Sequence, residues 1–512
     1  MDLLNLNLTS PDFGIATPQV ILFGLTMLLL LLDAFLPKPM HYVWLTTVSL
    51  AGYVAAMVAL YWQKGDDSST FNGMFRADGL TVFLTAVILV AAILSVMISA
   101  SYVENLEGRM PIGEFYLLLA FSVLGATLVS AAGDMVMIFV GIELSSLATY
   151  VLTAFARRRL SSVEGALKYF LLGIFASAIL IYGFSWIYGL TGSTNLDDIA
   201  VSLQASIAGT NHQEPAVLLA LLLVTVGLGF KIAAVPFHMW TPDAYDGAPT
   251  PVTAFMSVGP KAAGFAAIIR LLVQGLGPLR DDWSNLIAVL ALLTMIFGNI
   301  VAISQRNIKR MLAYSSIAHT GYMLVGLAAY NAKGGFGNAS DTGDRGVSAL
   351  LYYILAYTFM NIGAFAVVAW IQQRGHGITL DDFNGLAASR PIAAFAMAVF
   401  MVSLMGIPPL LGFYAKYYVI VAAIESHYVW LAFSVIIASA VSAYFYLRVV
   451  AVMYFASPDR ALRPASTMLL NVGIGIMVIA NLALGLFSGR IVDLANDWSN
   501  ALTIASRVTG HG

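Results

Sequence analysis

The sequence predicts an all-α polytopic integral membrane protein. Of its 512 residues, 60% are hydrophobic and only 10% are charged, and the mean hydropathy is +0.85. Soluble domains carry about 25% charged residues because their surface faces water. The apolar residues also recur in runs of roughly 18–25, the length of a helix that crosses a bilayer. Composition and run length therefore both indicate a chain embedded in lipid.

About fourteen of these runs follow one another along the chain, and each predicts a transmembrane helix. They lie near 19–36, 43–62, 78–100, 113–132, 135–155, 164–190, 216–236, 247–275, 283–304, 308–328, 347–372, 391–424, 428–455 and 466–487. Polar stretches at about 191–215 and 331–346 are interpreted as linkers. No loop is long enough for a folded soluble domain.

Two of the predicted helices are interrupted by residues that break an α-helix. The run at 391–424 is too long for one simple span and holds Pro408 and Pro409 between Gly406 and Gly412, which predicts a single broken helix. The run at 216–236 ends in a second break at Pro236. Irregular backbone at membrane depth is tolerated only inside protein or beside a watery cavity. Both breaks therefore indicate a functional site inside the helix bundle, enclosed by protein or next to a water-filled cavity.

The distribution of basic residues predicts the orientation of the chain. Loops after odd-numbered spans hold thirteen Lys and Arg residues, with clusters at 157–159 and 306–310, and the other side holds eight. Loops rich in Lys and Arg stay on the cytoplasmic side. Both termini are therefore predicted on the periplasmic or equivalent side of a bacterial plasma membrane or a thylakoid-type membrane.

The composition also excludes several classes of function. The chain has no cysteine, so it offers no thiolate ligand for zinc or an iron–sulfur cluster. Its net charge of −2 gives no electrostatic reason to bind nucleic acid. The sequence holds no P-loop, Rossmann or HExxH motif. The prediction is a chain without a cofactor or metal of its own.

The charges inside the predicted spans carry the functional signal. An ammonium at the centre of a membrane helix costs at least ~2.5 kcal/mol and is a functional hypothesis by default. The charged or titratable residues within spans that we select are four lysines, one carboxylate and one histidine: Lys168, Lys231, Lys261, Lys416, Glu143 and His319.

Each candidate also has a structural explanation. Lys168 can snorkel to the headgroups or pair with Glu164, four residues earlier on the same helix face. Glu143 can be a static counter-ion of a lysine, and His319 a hydrogen-bonded core residue. His238 lies at the break in the seventh span and can serve only to cap freed backbone groups.

As a set, these groups favour a proton relay. Burial disfavours a charged ammonium and a nearby carboxylate restores it, so a buried lysine can bind or release a proton when its partner moves. Chains of such groups mark proton pathways in pumps. Paired interruptions in the two halves of a chain mark the site in transporters built from inverted repeats.

Three segments resemble the signatures of the antiporter-like membrane subunits of respiratory complex I. They are KIAAVPFHMWTPDAY from Lys231 to Tyr245, which continues as GAPTPVT, then KRMLAYSSIAH from Lys309 to His319, and GIPPLLGFYAK from Gly406 to Lys416. The resemblance extends over roughly residues 75–455.

The resemblance implies two inverted five-helix repeats, each with a half-channel and a broken helix. It divides the chain into 1–110 (three transmembrane helices), 111–275 (first repeat), 283–455 (second repeat) and 456–512 (a last helix and tail). By motif position it implies a proton relay of Glu143, Lys231, Lys261, His319 and Lys416. Glu164, Lys168 and His238 are added as secondary candidates.

The function so implied is proton translocation in the membrane arm of an NADH- or ferredoxin-driven quinone oxidoreductase. The chain would be a non-redox subunit of this translocase, with flavin, iron–sulfur clusters and quinone in partner subunits. Expected partners are other membrane subunits of complex I, including neighbouring antiporter-like ones, and the lipid bilayer, but no nucleic acid. The alternative is a subunit of a Mrp-type cation/proton antiporter, which shares these motifs.

Overall fold

The structure, a computed structural model, describes residues 10–63, 67–104, 112–210, 215–330, 344–373, 377–457 and 468–490, together with 492, 493 and 495. The helices are α1 (Thr17–Phe35), α2 (His41–Trp62), α3 (Gly79–Glu104), α4 (Ile112–Ser130), α5 (Met135–Thr153), α6 (Leu160–Thr191), α7 (Leu196–Thr210), α8 (Pro215–Lys231), α9 (Thr241–Gly247), α10 (Thr250–Met256), α11 (Gly259–Ile268), α12 (Arg280–Ser304), α13 (Ile308–Ala328), α14 (Arg345–Gln372), α15 (Leu386–Ser389), α16 (Pro391–Met405), α17 (Leu411–Glu425), α18 (Val429–Phe455) and α19 (Met468–Leu486). A π-helical segment, Ile269–Gly275, continues α11. Strands β1 (Ser68–Thr70) and β2 (Phe75–Ala77) form an antiparallel hairpin.

The predicted fold class is confirmed. Within the described ranges, eleven helical segments are long and apolar enough to cross a membrane, and the shorter α8 and α16 are also apolar. Helices at the periphery expose aliphatic side chains, among them Leu31 of α1 and Ile437 of α18, as a lipid-facing surface requires. The count of fourteen spans and the inverted repeats stay predictions.

Both predicted helix breaks are present. Helix α8 ends at Lys231, and turns separate it from α9. Helix α16 ends at Met405, and α17 begins at Leu411. Gly406 ends α16 with a φ of +89°, a conformation that favours glycine. A Cβ on Gly406 would also lie 2.9 Å from Cδ of Lys416, so the break and this lysine are packed together.

The prediction of a linker at 191–215 is wrong for most of its length, because α7 occupies 196–210. Its polar residues resemble a linker, but Leu196, Ile199 and Leu203 recur on one face and are buried. This spacing is that of a short amphipathic helix. Of the second predicted linker, 331–343 lie outside the described residues, and α14 begins at Arg345.

The interior of the bundle is formed by α10, α11, α13 and α14, which are almost wholly buried. Helix α13 packs against α12, α14, α17 and α9. It therefore touches both broken segments, and the polar side chains of α13 lie at the centre of the molecule.

Candidate functional site

Glu143 and Lys231 form a partly buried ion pair. Glu143 lies in the middle of α5, and Lys231 is the last residue of α8, directly before the break. The Lys231 Nζ lies 3.0 Å from Oε1 of Glu143. Ser177 of α6 donates to the same Oε1 at 2.5 Å and accepts from Nζ at 3.1 Å, and Ser146 accepts from Nζ at 3.2 Å. The pair is thus held by hydroxyl groups from two helices.

The two members of this pair differ in exposure. The side chain of Lys231 is 6% exposed, whereas that of Glu143 is 22% exposed. A group outside the chain could therefore approach the carboxylate without displacing the lysine. An anion or cation near Glu143 would act on the pair strongly, because screening inside a membrane bundle is weak.

Lys261 is buried near the start of α11 and is bound by oxygen atoms of α13. Its Nζ donates to the carbonyl of Ser316 at 2.9 Å, to Oγ of Ser316 at 2.6 Å and to Oγ1 of Thr320 at 2.9 Å. The Thr320 hydroxyl donates in turn to the carbonyl of Ile232 at 2.9 Å. Because Ile232 follows Lys231, the surroundings of the two lysines are connected through Thr320.

His319 is buried between two tyrosines of other helices. Its Nδ1 is hydrogen-bonded to the hydroxyl of Tyr353 on α14 at 2.8 Å, and its Nε2 to the hydroxyl of Tyr446 on α18 at 3.0 Å. The Tyr446 hydroxyl is also 2.5 Å from Oγ of Ser315. Both ring nitrogens therefore have a phenol hydroxyl as hydrogen-bond partner.

Lys416 is the buried lysine of the second break. It lies on α17, and its Nζ donates to the carbonyl of Met405, the last residue of α16, at 2.9 Å. The same Nζ lies 4.8 Å from the ring centroid of Tyr322. Among the residues that the structure describes, no carboxylate contacts Lys416 or Lys261. Each is a buried lysine held by neutral oxygens and an aromatic ring.

Tyrosine rings connect Lys261, His319 and Lys416. The Lys261 Nζ lies 5.6 Å from the centroid of Tyr357, and the ring of His319 is 5.1 Å from Tyr357 and 5.5 Å from Tyr322. The ring of Tyr322 is also the one that Nζ of Lys416 contacts. We call Lys261, Tyr357, His319, Tyr322 and Lys416 the central array.

The tyrosines of this array were not among the sequence candidates. Their phenol groups are as compatible with an interfacial belt as with a buried site. A weak signal was present in α14, where Tyr353 and Tyr357 lie four residues apart in the middle of an apolar run.

The secondary candidates lie away from the central array. Lys168 pairs with Glu164 as predicted, at 2.6 Å, and also with Asp243 of α9 at 2.8 Å. Lys168 is not deeply buried, since 45% of its side chain is exposed. His238 lies in the break, where its carbonyl accepts from the amide of Thr241 at 3.0 Å and its ring packs on Phe297 with centroids 4.5 Å apart.

Two basic residues near the ends of predicted spans, which the orientation count grouped with the neighbouring loops, are buried. Arg270 is fully buried in the π-helical continuation of α11, where it forms a two-point ion pair with Asp78. Lys309 is buried in the first turn of α13. Arg270 was counted on the periplasmic side and Lys309 on the cytoplasmic side. Leaving both out of the count therefore does not change the excess of basic residues on the cytoplasmic side.

The described residues contain no group of three or more His, Asp or Glu side chains that could hold a metal ion. The predicted lack of a cofactor in this chain stays a prediction.

Comparison with known proteins assigns the chain to a family. Residues 132–442 match the family model described as "NADH:quinone oxidoreductase/Mrp antiporter, TM". NADH-quinone oxidoreductase subunit N of Trichlorobacter lovleyi is 46% identical over 446 residues, which cover 87% of this chain and 88% of that protein. The chain belongs to the subunit N family. Subunit N 1 of Koribacter versatilis is 40% identical and is covered, like this chain, over 98% of its length.

Solved structures agree with membership of the subunit N family. A chain of respiratory complex I from Thermus thermophilus is 32% identical and superposes with a TM-score of 0.76, covering 94% of this chain and 99% of that chain. A chain of the Mrp complex from Dietzia sp. has a TM-score of 0.83, with coverages of 95% and 97%, but only 21% identity. The latter likeness shows the shared fold alone.

Proposed function

We propose that the chain is a proton-translocating subunit in the membrane arm of an NADH:quinone oxidoreductase. The observation that carries this proposal is the central array together with the Glu143–Lys231 pair. Five ionisable groups lie inside one bundle and are connected by hydroxyl and aromatic side chains. Intramembrane groups of this kind are costly and are typical of proton pathways.

Glu143 and Lys231 form the input of the relay. While the carboxylate is close, it stabilises the ammonium of Lys231; when the carboxylate turns away, desolvation favours the neutral amine and Lys231 releases its proton. A hydrogen bond to a charged group contributes ~1.5–3 kcal/mol, and moving one charge against 100 mV requires ~2.3 kcal/mol. The free energy of breaking one or two hydrogen bonds of this pair is therefore similar to the work that a pump does when it moves one proton against the membrane potential.

The proton then moves along the second part of the relay. Its protonatable members are Lys261, His319 and Lys416. Thr320 binds both Nζ of Lys261 and the carbonyl after Lys231, which holds Lys261 close to the first break, and tyrosine rings pack between Lys261, His319 and Lys416. His319 can take up a proton on one nitrogen and release it from the other. Lys416 lies at the second break and serves as the exit-side group.

Redox energy reaches this chain from other subunits. Zero cysteines leave no ligand for an iron–sulfur cluster, so the chain acts as a non-redox subunit, and flavin, iron–sulfur clusters and quinone belong to its partners. Glu143 is the most exposed member of the relay and is where a neighbouring membrane subunit acts. The two inverted repeats then correspond to 111–275 and 283–455, and each contains one of the two breaks.

Replacing Lys261 by methionine tests the function. We expect the assembled complex to lose at least about 90% of the protons moved by this subunit, because a thioether carries no proton and a tenfold loss needs only ~1.4 kcal/mol. The measurement is the number of protons pumped per electron in sealed vesicles. Lys38→Met makes the same change at an exposed residue between α1 and α2 and should leave the ratio unchanged. An unchanged ratio in Lys261→Met would contradict the proposal.

The orientation of the chain is a separate prediction. We propose that both termini face the periplasm and that the clusters at 157–159 and 306–310 face the cytoplasm of a bacterial plasma membrane. Because the chain has no cysteine, single cysteines added at its ends can be labelled without background. A membrane-impermeant maleimide should label both from the periplasmic side. Labelling of both ends only from the cytoplasmic side would show that the orientation is inverted.

A further inference from the structure

We propose that Asp243 is a positioning residue that links the two halves of the bundle and sets the conformation of the break after Lys231. The inference rests on the proposed function, since Lys231 must carry the proton for its position to matter. Asp243 itself does not touch the central array.

Asp243 binds a basic residue from each half of the chain. Its Oδ2 accepts from Nζ of Lys168 on α6 at 2.8 Å, and its Oδ1 accepts from Nη1 of Arg310 on α13 at 2.7 Å. The carboxylate and the guanidinium are each about one-third exposed. Charge-assisted hydrogen bonds that use both oxygens of a partly buried carboxylate fix its orientation.

Further contacts hold α9 to the start of α13. Nδ2 of Asn307 donates to Oδ1 of Asp246 at 2.8 Å. The buried Nζ of Lys309 donates to the carbonyls of Asp246 at 2.9 Å and Ala248 at 2.6 Å. A cation on the last carbonyls of a helix is favourable because these carbonyls lack helical partners. Lys309, which the relay does not use, thus has a positioning role.

On its other side, α9 is packed rigidly on α6. A Cβ on Gly247 would lie 2.3 Å from the backbone carbonyl oxygen of Ser161, so the two backbones are in direct contact. Helix α9 therefore cannot slide freely along α6. A shift of α13 acts on α9 through the contacts of Arg310, Asn307 and Lys309, and it must therefore move α9 together with α6.

These contacts give the two halves a mechanical connection. Helix α13 carries Ser316 and Thr320, which bind Lys261, and its first turn holds α9. Helix α9 follows the break that begins after Lys231. A change of protonation that moves α13 thus changes the break, and with it the distance between Lys231 and Glu143. Asp243 transmits this movement to α6, the helix that carries Ser177.

The test uses Asp243→Asn and Arg310→Gln, alone and together, in the assembled complex. Each single change should lower the rate of proton pumping on the order of fivefold. This factor corresponds to the lower end of typical coupling free energies between two sites. The double variant should pump no more slowly than the slower single variant, because the two residues act through one contact. Asp243→Glu should recover part of the rate. Asp281→Asn, which removes a 95% exposed acid beside Arg280, is the matched control.

The outcomes separate this inference from the proposed function. Wild-type pumping in assembled Asp243→Asn, or additive losses in the double variant, would overturn the role of Asp243. Lys231→Ala is measured in parallel. If Lys231→Ala is inactive while Asp243→Asn pumps normally, only the positioning role is wrong. If Lys231→Ala pumps normally, the relay itself fails.

Discussion

Replacing Lys231 by alanine should abolish proton pumping through this subunit while the complex still assembles. The ammonium is the group that joins Glu143, Ser146 and Ser177, and alanine leaves no atom to carry the proton. Quinone reduction coupled to pumping should fall in parallel. The measurement is acidification of sealed vesicles, normalised to the amount of assembled complex.

A graded series at Glu143 provides the control for this prediction. Glu143→Asp keeps the charge on a shorter side chain and should retain part of the activity, whereas Glu143→Ala should retain much less. The series tests the ion pair, because both variants leave Lys231 in place. Equal pumping by all three proteins would contradict a coupling role for the pair.

Replacing Arg270 by alanine should prevent the chain from accumulating in the assembled complex. The guanidinium is fully buried and binds both oxygens of Asp78, the hydroxyl of Thr81 at 2.8 Å and the carbonyl of Ser130 at 3.0 Å. It thus holds together α3, α4 and the continuation of α11. Removing one partner of a buried ion pair costs about 3–5 kcal/mol because the other charge is left unpaired.

The amount of complex in membranes and its thermal stability measure this effect. Arg280→Ala is a suitable control, since Arg280 is partly exposed, its ionic partner Asp281 is nearly fully exposed, and its remaining hydrogen bonds go to the neutral carbonyl of Tyr330. Replacing Arg270 and Asp78 together by leucine should recover part of the stability, because no unpaired charge remains. Accumulation of Arg270→Ala at the wild-type level would refute the structural role of the pair.

Much of this molecule could be predicted from sequence because the bilayer constrains it strongly. Run length predicted the positions of the long helices, and Pro408, Pro409 and Pro236 predicted the two breaks. The cost of burying a charge identified Glu143, Lys231, Lys261 and Lys416 as candidates. The structure then brings Glu143 to Lys231, and Lys261 and Lys416 to tyrosines around His319.

Other parts of the site depend on packing that no local pattern shows. The partners of His319 are 34 and 127 residues away along the chain. Arg270 and Lys309 lie at the ends of predicted spans, where basic residues usually face water, yet both are buried by contacts with distant segments. Helix α7 was missed because, among its residues whose side chains the structure describes, only Leu196, Ile199 and Leu203 are buried apolar residues.

The most direct test of the relay is proton pumping by the assembled Lys231→Arg complex in sealed vesicles. Arginine keeps the positive charge and can still pair with Glu143, but a guanidinium does not release its proton in proteins. If Lys231 hands on a proton, this subunit should stop pumping although the complex is intact. Pumping at the wild-type ratio of protons to electrons would mean that the charge at position 231 is static, which contradicts the relay.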